Sequence, residues 1–380
     1  MFGIILWEGR ALVMRGRIVH RITGLALALI VLLSALPGAF ALERPTELIP
    51  VGRTVGIDIK CEGVMVVAIG EVQTENGTLS PGTQAGLLPG DVITQVGDRK
   101  INSAADFRAA IEAQGAETVQ MQVKRAEEEL ALHITPVRSG GGFELGLWLR
   151  EGMAGIGTVT FYDPESGVFG ALGHAVSDME TGALVPLGEG SIMSATVKGV
   201  RRGEAGAPGE LQGEFDFHKI IGRLYANTPT GIFGKATEQD WHTPHEALPI
   251  GGANELELGA AKILANVKGS EIESFDIEIS RIFSGGDDRN MMITVTDPAL
   301  IDLTGGIVQG MSGSPIVQNG KLVGAVTHVF VNDPQRGYGI FITNMLNASE
   351  QQTSGAMPLV HIDADTVPHI LPFLVNNTAV

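Results

Sequence analysis

Cysteine is almost missing from this chain. Cys61 stands alone among 380 residues, so an internal disulfide framework cannot form and a cysteine-based metal site is disfavoured. Cys61 sits in a strand-like stretch with no histidine nearby and reads as a plain buried or half-buried thiol. Aromatic residues make up only 5% of the chain. Basic residues are outnumbered, with 26 Lys and Arg against 43 Asp and Glu for a formal charge of −17. That balance argues against a nucleic-acid partner, because phosphate binding needs clustered Lys and Arg. Long amphipathic helices are also scarce. What the chain has instead is glycine, 51 residues of it, and a hydrophobic fraction of 44%. Glycine supplies positive φ at little steric cost, which suits many short strands joined by tight turns. The length fits two domains rather than one.

The N-terminal residues 1–42 carry a targeting pattern. Arg15, Arg17, His20 and Arg21 precede an uncharged apolar run from Ile22 to Leu36, which Pro37-Gly38 breaks ahead of Ala39-Phe40-Ala41. A basic flank, an apolar centre and a small-x-small exit read as a secretory signal. If retained, 22–42 is long enough to anchor the chain in a bilayer. Either way the mature protein is expected to be exported, with membrane association through this segment.

Residues 43–50 hold two prolines and no periodicity, and read as a linker. From Val51 onward short strand patterns follow, including Val64 to Ile69, Val92 to Val96, Val119 to Val123 and Leu130 to Ile134. Ser103 is placed to cap a helix over 103–114, with Phe107, Ala110 and Ile111 on one face. The segment AGLLPGDVI (Ala85 to Ile93) resembles the most recognisable stretch of bacterial PDZ domains attached to exported proteases. The resemblance covers 51–138. It implies a peptide-binding module to whose sheet edge an extended peptide adds a strand, and it places the peptide-holding loop at Thr54, Val55, Gly56 and Ile57. The alternative use of such a module is as a rigid spacer or lid.

The glycine-rich joint Ser139 to Gly142 leads into a second region, 139–347, again with many short strands: 157–161, 191–200, 273–279, 291–296 and 322–331. That spacing suggests a barrel or sandwich; 253–264 is a candidate helix. Residues 348–380 form a C-terminal extension, with an apolar stretch from His369 to Val375.

The chemistry is concentrated at Gly310-Met311-Ser312-Gly313-Ser314-Pro315. A nucleophilic serine must project from a tight turn whose backbone N–H groups converge on the developing oxyanion, and glycines leave that approach open. A strand, an Asn319-Gly320 turn and another strand follow. Serine needs a base. His174, in FGALGHAVSD (169–178), ends an apolar approach at a loop and is the first choice; His328 is the rival, in the apolar strand GAVTHVF. The carboxylate that fixes the imidazole tautomer is assigned to Asp297, which ends a strand fifteen residues before Ser312. Asp178, Asp287, Asp288 and Asp302 compete.

With these segments, and with VTDPALI (295–301) and GIVQGMSGSPIVQNGKLVGAVTHVFVNDPQRGYG (306–339), the chain resembles the stage IV sporulation protein B family of endospore-forming bacteria. These are PDZ-bearing signalling serine peptidases of the chymotrypsin clan. The resemblance implies a mainly β chain with a PDZ domain followed by a chymotrypsin-like double β-barrel, and neither cofactor nor metal. It implies His174 as base, Asp297 as its orienter, Ser312 as nucleophile, and the amides of Gly310 and Ser312 as the oxyanion hole. Met311 stands where digestive relatives carry an aspartate, so their activation switch should be absent. Ser314 replaces a glycine and offers a second hydroxyl. The implied function is regulatory: export to the space between the forespore membranes, self-cleavage near the N-terminus, then clipping of a membrane-bound regulator. That cut activates an intramembrane protease and late sigma-factor processing. Two other readings are a degradative envelope protease of the heat-shock type and a catalytically inactive PDZ scaffold.

Overall fold

The structure, a computed structural model, describes residues 44–126, 128–237, 241, 245–283, 289–355 and 378–379. Residues 1–42, expected to direct export, Asp287, Asp288 and the apolar stretch 369–375 lie outside the described residues. The chain divides into two units, 1–45 and 46–380, and the second holds all the elements that follow.

In chain order these are β1 (Thr54–Ile69), β2 (Val92–Val96), helix α1 (Ala104–Gln114), β3 (Val119–Arg125) and β4 (Glu128–Ile134). Next come β5 (Leu147–Tyr162), β6 (Val168–Ala171), β7 (Leu187–Arg201), β8 (Glu210–Thr228) and β9 (Gly231–Ala236). Then follow β10 (Gly259–Lys268), β11 (Glu271–Ile282), β12 (Met291–Val295) and helix α2 (Pro298–Thr304). Last are β13 (Pro315–Gln318), β14 (Lys321–Phe330), β15 (Asp333–Phe341), helix α3 (Ile342–Gly355) and the two-residue β16 (Thr378–Ala379).

Two closed barrels dominate. The pairing runs β1-β5-β6-β9-β8-β7 and returns to β1. The second barrel runs β10-β11-β12-β15-β14-β13 and closes on β10. Each visits its strands in the same order, first, second, third, sixth, fifth, fourth, and every strand pairs antiparallel. Alternation of side chains sets the inside: in β11, Phe275, Ile277 and Ile279 are buried while Asp276 and Glu278 face outward, as a two-residue period demands. Each barrel has its own apolar core, around Val159, Phe169 and Ile192 in the first and around Ile263, Ile293 and Ile316 in the second.

The PDZ module is set into the first barrel rather than before it. Strand β1 belongs to the barrel over 54–61, where β5 and β7 flank it on both edges, and to the module over 64–69, where it pairs with β2. The crossover falls at Gly63, with φ +112 and a backbone so close to Ile93 that an added Cβ would lie 2.4 Å from its carbonyl oxygen. Only glycine fits there. The chain then builds β2, α1, β3 and β4 around a separate core of Ile93, Phe107, Ile111 and Met121, and re-enters the barrel along β5.

This corrects the predicted boundary at 51 and the predicted peptide-holding loop. On one edge Thr54, Val55, Gly56 and Ile57 pair with Thr158, Gly157, Ile156 and Gly155 of β5. On the other edge Val55, Gly56 and Ile57 pair with Ser194, Met193 and Ile192 of β7. No backbone edge is left there for a peptide. The sequence concealed the change of domain because both halves of β1 are apolar. Three other expectations are corrected. Residues 47–50 of the predicted linker form a strand between 161–162 and 248–249. The joint at 139–142 is the turn of a short hairpin, Val137–Ser139 with Gly142–Glu144. The candidate helix at 253–264 is one turn of 3-10 helix (Ala253–Glu255) followed by β10. The predicted helix holds: Ser103 accepts a hydrogen bond from Asp106 N at the N-terminus of α1.

Cys61 is buried in the first barrel's core, where burial pushes its thiol up to about 11. A thiol whose folded pKa is raised holds its proton more tightly when folded. This contribution to stability is therefore whole below the unfolded value and is lost as pH climbs through the folded one. At pH 8 a disulfide exchange reagent should modify Cys61 far more slowly in the native protein than in guanidinium chloride. Equal rates would show that the β1–β5 ribbon opens freely.

Candidate active site

The nucleophile turn 310–314 is carried by the second barrel, between α2 and β13, and is fastened to the first barrel by strand β5. Thr158 and Thr160, 1% and 0% exposed, donate their hydroxyls to Gly310 O (2.7 Å) and Gly313 O (2.8 Å). Thr158 N donates to Ser312 O (2.9 Å) and Gly313 N to Val326 O (2.7 Å). The approach is close enough that a Cβ on Gly313, at φ +95, would sit 2.0 Å from Thr158 O. With its carbonyls tied down in this way, the turn leaves the amides of Gly310 and Ser312 without a backbone acceptor among the described residues. These are the two donors expected to line an oxyanion hole.

His174 follows β6 by way of Leu172 and Gly173, which both adopt left-handed backbone at φ 68 and φ 72. For leucine that conformation costs on the order of 1 kcal/mol. It turns the chain sharply out of the strand, and Leu172 N holds the turn by donating to Thr158 O. The imidazole comes to rest against β14: its centroid lies 4.9 Å from that of His328, and Gly173 packs on Thr327 and Ile340. Ser312 reaches the same strand, donating its hydroxyl to Thr327 O at 2.7 Å. The structure thus gathers His174 and Ser312 at one short segment of β14, with the serine hydroxyl engaged by a backbone carbonyl rather than by the imidazole. Nδ1 of His174 lies 2.8 Å from Ala175 O. A proton on Nδ1, donated to that carbonyl, leaves Nε2 with its lone pair.

The third expected member is not brought to the pair. Asp297 is the N-cap of α2, with Oδ1 accepting from Ala299 N and Leu300 N and Oδ2 from Asp276 N. These bonds hold its carboxylate at the N-terminus of α2 and against β11, and none of them joins it to His174. Asp178 is also committed: buried, it forms an ion pair with Arg150 and accepts from Glu180 N, Thr181 N and the Thr181 hydroxyl. Asp302 is exposed on α2. The loop after His174 is pinned from the other side by Asn227, whose amide bonds to Val176 N, Val176 O and Val185 O. Ser314 is fully buried, out of reach of a substrate. Among the described residues no group of three or more His, Cys, Asp or Glu is placed to hold a metal ion.

Sequence reasoning missed Thr158, Thr160, Arg150 and Asn227. One signal was present in GTVTF (157–161), where two threonines occupy alternate positions of an apolar strand and so share a face.

Replacing Thr158 by valine strands the Gly310 carbonyl, which should cost about 1–3 kcal/mol of stability and loosen the turn. We expect Ser312 to react with a fluorophosphonate at least tenfold more slowly in that variant; an unchanged rate would show the clasp to be irrelevant to the nucleophile. Asp297→Asn keeps a good helix cap and should leave labelling unchanged, whereas Asp297→Ala should lower stability by about 1 kcal/mol. Loss of labelling in Asp297→Asn at unchanged stability would restore Asp297 to the catalytic group.

A family model described as SpoIVB peptidase S55 matches residues 141–346, and a PDZ-domain model matches 78–125. A stretch of 57 residues is 39% identical to the mitochondrial serine protease HTRA2 of Bos taurus, covering 15% of this chain and 12% of that relative. Among solved structures, the active form of the Rv3671c protease from M. tuberculosis aligns at 15% identity and TM-score 0.33, over 55% of this chain and 78% of that one. The HtrA-type protease AlgW with decapeptide aligns at 14% identity and TM-score 0.32, over 54% of each chain. The peptidase model spans more than half of the chain, from the hairpin before β5 to helix α3; the chain belongs to the SpoIVB peptidase S55 family, a family of serine endopeptidases.

Proposed function

We propose that the chain is a regulatory rather than a digestive endopeptidase, with Ser312 as nucleophile and His174 as its base. The observation that carries this reading is that both side chains contact β14 at adjacent residues, Ser312 at Thr327 and His174 at His328, while the Gly310 and Ser312 amides have no backbone acceptor among the described residues. Rotation about χ1 of Ser312 would release its hydroxyl from Thr327 O and turn it toward Nε2. The hydroxyl oxygen then attacks the scissile carbonyl carbon while its proton passes to Nε2. The two amides receive the oxyanion, each donor of this kind being worth about 3 kcal/mol of barrier. Collapse of the tetrahedral intermediate returns the proton from Nε2 to the leaving amine, and water repeats the sequence on the acyl-enzyme.

Restraint is supported by the resting state of the nucleophile, whose hydroxyl must give up a 2.7 Å hydrogen bond before it can react. Slow, switchable cleavage fits this geometry better than bulk degradation does. With the basic and apolar pattern of 1–42, it favours an exported peptidase, held at the membrane by its N-terminus, that cuts itself and then a membrane-bound regulator in the forespore intermembrane space. The PDZ module would select those protein substrates, and the downstream event would be activation of an intramembrane protease during sporulation.

Purified wild-type and Ser312→Ala proteins, incubated alone and followed by N-terminal mapping of fragments, test the first part. Discrete self-cleavage products are expected from the wild type and none from the variant at equal thermal stability. Identical fragments from both would remove Ser312 from the role.

A further inference from the structure

Strand β5 begins inside the PDZ module with Leu147–Arg150. One edge of this stretch is paired with β1, Trp148 facing Ala68 and Leu149 facing Val66. The other edge carries β16: Thr378 faces Leu149 and Ala379 faces Trp148, antiparallel. Residues 378–379 therefore add a strand to the module along a stretch of β5, the strand that also packs against helix α1. A cleft of about 370 Å³ opens there, lined by Arg108 and Glu112 of α1 and by Phe143, Gly146, Leu147 and Trp148. A free sheet edge beside a helix is what strand addition by a peptide requires. By contrast, the edge at Thr54–Ile57 is closed on both sides.

We propose that the edge Leu147–Arg150, walled by α1, is the module's peptide-docking groove, and that the chain's own segment at Thr378–Ala379 occupies it as a resting ligand which an incoming peptide must displace. The stretch 356–377 that links α3 to this segment can span on the order of 70 Å when extended, ample for docking within one molecule. The groove also has a route to the catalytic loop. The residue after Leu149 is Arg150, whose guanidinium is paired with Asp178 and lies 3.6 Å from Glu180, both in the loop that follows His174. Glu180 also lines the cleft on the other side of Trp148, with Val67, Ala68 and Gly70. Exchange of one bound strand for another thus takes place next to the ion pair that holds the His174 loop. The proposal rests on the peptide-binding reading of the PDZ module and not on catalysis.

The test uses protein carrying Ser312→Ala, so that self-cleavage plays no part, and a fluorescein-labelled peptide of residues 372–380 as probe. A tethered ligand acts at an effective concentration of about a millimolar. The full chain should therefore bind the probe at least tenfold more weakly than a chain ending at residue 355. Thr378→Pro/Ala379→Pro, which removes the N–H groups of β16 at full length, should bind like the shortened chain. Equal affinity in all three proteins, or no binding to the shortened one, would overturn the proposal. So would a difference that fades on dilution of the protein, which would assign the docked strand to a second copy. Thermal melts establish that the variants are folded, and fluorophosphonate labelling of the same proteins with Ser312 restored shows separately whether the catalytic reading stands.

Discussion

Strand β5 ties together the PDZ module, the loop after His174 and the turn that carries Ser312. Its first residues belong to the PDZ module and the rest to the first barrel, with shifts of register at Trp148/Leu149 and Arg150/Gly152 where one becomes the other. Along its length it meets the tail segment at 148–149, grips the loop after His174 through Arg150, and clasps the nucleophile turn through Thr158 and Thr160. Because a paired strand is stiff along its axis, the spacing between these sites is fixed by the rise of the backbone. The buried Arg150–Asp178 pair makes the grip costly to break. Removing one partner of such a pair typically costs about 3–5 kcal/mol, since the other charge is left without compensation in the interior. The loop carrying His174 is thereby held to the strand that the module and the barrel share.

The site itself is built with little slack. Leu172 accepts a backbone conformation that leucine resists, and the surrounding contacts hold it there: Thr158 O takes its amide, and the next residue is wedged against Thr327 and Ile340. On the other side the nucleophile turn cannot tolerate a side chain at Gly313. Between these two closely packed walls the Ser312 hydroxyl is held by the Thr327 carbonyl.

Much of this was readable in the sequence where the cause is local. The glycines around Ser312, the turn at Asn319-Gly320 and the cap at Ser103 each follow from what a few adjacent residues must do, and the structure has them all. The errors have a common origin in pairings between distant segments. Nothing within 54–57 tells that its neighbours will be 155–158 and 192–194, and so a doubly paired barrel strand was read as a loop that holds peptides. Asp297 was ambiguous in a more instructive way. An aspartate at a strand end followed by proline also describes a helix N-cap with proline in its first turn, and that local role is the one the chain uses. Thr158 and Thr160 escaped notice because polar residues in a strand ordinarily face water; here they face the other barrel's turn.

The way the module is seated bears on how such a protein could arise. Its entry and exit are neighbouring rungs of one antiparallel ladder, Lys60 opposite Gly152 and Met65 opposite Arg150. Everything between these rungs replaces what in a plain barrel need only be a tight hairpin bend. A cassette joined at adjacent rungs can be gained or lost without threading the host chain anew, so ancestry with and without the module requires no change in barrel topology. The same adjacency ties the closure of the host's first hairpin to the seating of the module, since both lie on one ladder.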